Sequence, residues 1–139
     1  MILHQNGFIE LTYDVATDIL TVRWPNVRAA SGAELLYSFE KLLEVIRGYD
    51  IKKVLFDSRS NNLAVSDEEY RALNAQLGRD LVQTRVKKVA RLGNFNTKRE
   101  TILKDLSDEV LAETKADLHF QMFDTFADEE RALQWLQED

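Results

Sequence analysis

The chain has 139 residues, 45% hydrophobic and 30% charged, a balance that fits one soluble globular domain burying roughly two thirds of its unfolded surface without a metal or disulfide. Its 24 acidic and 18 basic residues leave a formal charge of -6, which opposes long-range attraction to nucleic acid or an anionic membrane. No cysteine is present, excluding disulfides, thiolate metal sites and a cysteine nucleophile. Met1 to Asn6 shows no basic-then-apolar leader, and no apolar run reaches the roughly 18 residues of a membrane span, so a cytoplasmic protein with no transmembrane segment is expected.

Phe8 to Tyr13 and Asp18 to Trp24 alternate in polarity at the strand period, and the short Asp14-Val15-Ala16-Thr17 turn between them predicts an antiparallel hairpin. Pro25 favours departure from the sheet. Ser31 with Glu34 has capping-box spacing and opens a helix whose stripe is Leu35, Leu36, Phe39, Leu42, Leu43 and Ile46, with Gly48 able to end it in a left-handed conformation. Lys52 to Asp57 follows, its Val54-Leu55-Phe56 run lacking a polar face, as expected of a central strand.

The polar stretch from Asp57 to Asn62 leads to a second capping box, Ser66 with Glu69, and a helix carrying Tyr70, Leu73, Leu77 and Leu81. Val86, Val89, Ala90 and Leu92 mark a strand ended by Gly93 and Asn94. Ile102, Leu103, Leu106, Val110 and Leu111 predict a helix over residues 99–113. Leu118, Phe120 and Met122 alternate with His119, Gln121 and Phe123 as in an edge strand, and Thr125 with Asp128 caps a last helix that turns Phe126, Leu133 and Leu136 inward. The result is a single α/β domain over residues 1–139: an N-terminal hairpin, then strand-helix units in a mixed five-stranded sheet whose last three strands are mostly parallel.

Three stretches, YDVATDILTVRW at 13–24, KKVLFDSR at 52–59 and FDTFADEERALQWL at 123–136, resemble the small bacterial STAS and SEC14-like superfamily, which includes relatives of the anti-sigma factor antagonist. That resemblance implies binding of protein partners, or in some branches nucleotides and apolar ligands, by strand-to-helix loops. It also makes Asp57 the strand-end acid and Ser66 the positional counterpart of a phosphorylatable switch serine. The compact Asp-Ser-Ser-Gly switch is absent, however, and Ser66 stands in AVSDEEY. Helix capping explains Ser66 directly; a regulatory phosphate would add charge beside Asp67, Glu68 and Glu69.

No phosphate-cradling glycine loop, zinc-protease helix or hydrolase elbow occurs, and His4 and His119 lack metal-ligand spacing. Catalytic, cofactor and metal sites are therefore not expected. The acids Asp67, Glu68 and Glu69 suit a helix start. Arg85, Lys87, Lys88, Arg91, Lys98 and Arg99 read as a solvated rim, giving no strong nucleic-acid signal. The leading expectation is a noncatalytic regulatory or protein-binding domain using Asp57, Ser58, Arg59, Asn61 and Ser66. The alternative is a carrier of a small apolar ligand or lipid in a pocket formed by Leu35, Phe39, Leu73 and Leu77. If the four helices covered mainly one sheet face, Phe8, Trp24 and Phe123 could support a homodimer.

Overall fold

The computed structural model describes residues 1–5, 8–24, 31–59, 64–93, 96–123 and 129–138. Among them, strands β1 (Ile2–Gln5), β2 (Glu10–Asp14), β3 (Ile19–Arg23), β4 (Lys53–Asp57), β5 (Lys88–Leu92) and β6 (His119–Phe123) form one sheet in chain order. The helices are α1 (Gly32–Gly48), α2 (Asp67–Leu81), α3 (Thr97–Thr114) and α4 (Glu129–Gln137). The expected α/β class is present, but the sheet has six strands rather than five. The additional strand is β1, which pairs antiparallel with β2 and places His4 opposite Leu11.

The β2–β3 hairpin keeps the expected antiparallel register, with Leu11 opposite Val22 and Tyr13 opposite Leu20. In its turn, Asp14 accepts from the Ala16 amide at 3.0 Å, while Asp18 adopts a left-handed φ of 58°. Asp tolerates that conformation because its short polar side chain can bond locally. Strands β3 to β6 are all parallel. β6 is an edge strand, as its half-polar pattern predicts.

Both ends of α1 show how capping chemistry selects local structure. Ser31 Oγ accepts from the Glu34 amide and the Glu34 carboxylate accepts from the Ser31 amide, completing the box. At the other end the left-handed residue is Asp50, φ 53°, rather than Gly48. The exit from α1 thus falls two residues later than glycine preference indicates.

Alternation places Leu20, Val22, Trp24, Val54, Phe56 and Val89 on one sheet face, where Leu35, Phe39, Leu42 and Ile46 of α1 and Leu77 and Leu81 of α2 cover them. Helix α3 leans on α2, packing Leu106 and Val110 against Ala75. The opposite face buries Ile19, Leu55, Ala90, Leu92 and Phe123 under Ala132 and Leu136 of α4. Lys88 fixes the end of α4, its Nζ donating to the Trp135 and Glu138 carbonyls at 2.7 Å each.

Of the aromatic residues expected to support a homodimer, two are covered within the chain. Trp24 and Phe123 are buried within the chain and Phe8 is half-buried, and the sheet surface beyond α4 presents Glu10, Thr12, Thr21 and Arg23 together with the exposed Ile2. Thr125, Phe126 and Asp128, expected at the start of the last helix, lie outside the described residues.

Candidate functional site

The carboxyl ends of the parallel strands carry charge on both faces of the sheet. On the α4 face, Asp57 closes β4 and is only 7% exposed. Arg59 grips it with Nε at 2.9 Å and Nη2 at 2.8 Å, and Arg23 Nε adds a third bond at 3.2 Å. Both arginines also reach Glu129 of α4, at 3.2 and 3.3 Å. Burial opposes ionisation of Asp57, but the hydrogen bonds from Arg59 and Arg23 outweigh it and hold the carboxyl below its ordinary range. The cluster is a clasp joining β3, β4 and α4.

On the other face Arg91 of β5 is buried and makes a bidentate pair with Glu100 of α3, Nε to Oε1 at 3.0 Å and Nη2 to Oε2 at 2.8 Å. Nη2 also donates to the Tyr70 hydroxyl at 3.4 Å. Burial raises the Tyr70 pKa, so the phenol stays neutral and can accept that bond. Around the corner, Lys98 and Arg99 bind the Asp67 carboxylate at 2.7 and 3.1 Å, and those bonds lower its pKa. Arg85 pairs with Asp50. Of the expected basic rim, Arg85, Arg91, Lys98 and Arg99 are each held in an ion pair, with Arg91 inside the protein.

The loop residues selected from sequence have different fates. Asp57 and Ser58 are buried, at 7% and 0% exposure, whereas the Arg59 side chain is partly accessible and Ser66 is exposed. Asn61 lies outside the described residues. Ser66 Oγ accepts from the Glu69 amide at 3.0 Å, but Glu69 does not complete the expected box. Its carboxylate instead lies beside Gly32 at the start of α1, so close that a β-carbon there would meet Oε2 at 2.6 Å. Ser66→Ala is expected to destabilise the fold by roughly 0.5–2 kcal/mol in urea denaturation, with Ser66→Asp close to the parent. Equal losses in both variants would reject the capping role.

An apolar cleft enclosing about 90 Å³ lies where α2 and α3 stand over the sheet, and it is partly open to solvent. Trp24, Phe39, Phe56 and Phe120 contribute aromatic lining, and Leu77, Leu103, Leu106 and Val110 contribute aliphatic lining. Of the pocket residues expected from sequence, Phe39 and Leu77 line it. Leu35 and Leu73 instead pack in the layer with α1 and α2, because the cleft lies one helix further along the sheet than their spacing suggests. Trp24, which the sequence offered as a dimer contact, and Arg91, which it placed in a rim, also line the cleft. Their convergence depends on the strand register that sets Val22 beside Phe56 and Phe56 beside Arg91.

No group of three or more His, Cys, Asp or Glu side chains suited to a metal occurs among the described residues, and none of their helices is long and apolar enough to cross a membrane. Comparison of the chain with family models, curated proteins and solved structures gives no match.

Proposed function

We propose that this protein is a noncatalytic binding domain that takes a small apolar ligand in the cleft between the sheet and helices α2 and α3. The observation that carries this reading is the cleft itself: an opening among otherwise closely packed layers, lined by aromatic and aliphatic groups with few polar atoms. Such concave, mostly apolar sites are where small molecules bind, whereas an ordinary core closes on itself. The enclosed volume is below the roughly 300–1,000 Å³ of a drug-sized pocket, so the ligand is small or only partly enclosed.

Native mass spectrometry of gently purified protein is expected to show a retained small molecule. Ser107→Phe, which places a ring at a half-buried lining position, is expected to remove most of that occupancy while leaving the melting temperature near the parent value. Bare protein mass in every preparation, or full occupancy in the variant, would reject the reading.

A second reading, a regulatory domain that captures a protein partner with its strand-end loops, is supported by the resemblance to STAS and SEC14-like proteins and by the accessibility of Ser66, Arg23 and Glu129 at that edge. Charge reversal at Glu129 would weaken capture in a quantitative pull-down if that edge is the docking surface. Unchanged recovery would remove it.

A further inference from the structure

The two edges of the sheet differ. β1 pairs irregularly with β2, its register shifting between Ile2 and His4, and the Met1 amino group donates back to the Tyr13 carbonyl at 3.0 Å. A bulge of that kind blunts an edge against further pairing. β6 instead keeps an unbroken register with β5 from His119 to Phe123, and residues 118–123 include no proline and no Asp, Glu, Lys or Arg. Its edge thus carries neither bulge, proline nor charge, the usual protections of an open strand.

The bonds on the inner side of β6 identify the open groups on its outer side. The His119 amide donates to the Lys87 carbonyl at 2.9 Å and the Phe123 carbonyl accepts from the Gly93 amide at 3.3 Å, so residues 119, 121 and 123 turn their backbone polar groups toward β5. Phe120 and Met122 turn theirs outward, where no described residue bonds them. Both side chains are half-buried on one face of the strand, and Phe120 lines the cleft there. Gln121 is exposed on the other face.

We propose that two copies of this chain join antiparallel along β6, about a two-fold axis through Gln121. In that register Phe120 lies opposite the partner's Met122, and the symmetry repeats the pair on the other side of the axis. Each pair exchanges both N–H···O bonds, so every open group of Phe120 and Met122 on both strands is satisfied. The side chains of each pair share a face, which sets the partner's Met122 beside Phe120 at the wall of the cleft. The pairing stands whether or not the cleft holds a ligand.

Charge favours this contact over others between two copies. The formal charge of -6 opposes their approach in general, but the paired strands bring no carboxylate, ammonium or guanidinium together. A five-residue strand is only about 17 Å long, so the contact falls below the roughly 1,200 Å² of a stable interface. The dimer is therefore weak, and salt strengthens it by screening the net repulsion.

Sedimentation equilibrium of the full chain from roughly 10 μM to about 1 mM is expected to show the mass rising from monomer toward dimer, more so at higher NaCl. In ¹⁵N-labelled protein the Phe120 and Met122 amides are expected to shift with concentration. Gln121→Lys and Gln121→Glu each set like charges face to face across the axis. Each is expected to raise the dissociation constant roughly 5- to 10-fold at an unchanged melting temperature, and an equimolar mixture of the two is expected to regain association.

A monomer mass throughout, with those amides unmoved, overturns the pairing. So does a dimer that Gln121→Lys leaves intact, which puts the contact on another surface. A monomer whose Phe120 and Met122 amides move only when an uncharged extended peptide is added gives the edge to another chain and equally overturns self-pairing. Should either Gln121 variant not fold, the mass and the amide shifts of the parent protein decide.

Discussion

Replacing Arg91 with methionine is expected to destabilise the fold by about 3–5 kcal/mol, because it leaves the Glu100 carboxylate largely buried without its partner. The Arg91 and Glu100 side chains are only 7% and 14% exposed, so water restores little of what the missing guanidinium supplied. The paired change Arg91→Met with Glu100→Met removes both charges. It is expected to recover most of the loss, since a buried ion pair often contributes little net stability beyond that of well-packed apolar groups. Urea denaturation of the parent, both single variants and the double variant closes the cycle. A double variant as unstable as the sum of the singles would show that the two residues act independently.

The Arg91 pair also positions the proposed site. It joins β5 to the first turn of α3, the helix that supplies Leu103, Leu106 and Val110 to the cleft. Loss of the pair should therefore loosen α3 before it disturbs β4, and local hydrogen exchange would separate those regions.

At Asp57 the expected result is a loss of stability in acid. The folded carboxyl titrates below its ordinary value, whereas an unfolded aspartate titrates near 3.9. The unfolded state consequently binds the proton more readily, and the contribution of Asp57 is fully present above that unfolded value. It fades as the pH drops through that unfolded value and is lost as the pH falls through the lower folded value. Asp57→Asn keeps the shape but gives up the charge facing Arg23 and Arg59. It is expected to cost roughly 1.5–3 kcal/mol at pH 7 and to flatten the acid limb of stability against pH. Identical acid limbs in the two proteins would show that another group carries the linkage. Because Asp57 clasps the scaffold, its substitution reports on folding before it reports on any partner at the strand-end loops.

Local physics made much of the architecture readable from the residues. A cap needs only a hydroxyl or amide and an amide three residues on, which is why Ser31 and Ser66 marked the starts of α1 and α2. Val54-Leu55-Phe56 declared a strand covered on both faces by lacking a polar side, and the alternation around Asp14 to Thr17 declared a hairpin. The four residues of β1 are too few for a period to emerge, and their strand character comes from pairing with β2.

Tertiary placement decided the features that position the candidate site. Periodicity fixes which side of an element is apolar but not which neighbour that side meets, so it could not tell that α4 alone crosses to the opposite face. Nor could it turn Glu69 from its own helix cap toward Gly32, or place Arg91 inside with Glu100 when its alternating neighbours suggested a rim. The cleft is the strongest case, since Trp24, Phe56, Leu77, Val110 and Phe120 come from five separate elements or their ends. Each residue encodes its tendency to be buried. The space left among them is set only when β3 to β6 take their register and α3 leans on α2, because a gap belongs to the packing of surfaces rather than to any one side chain.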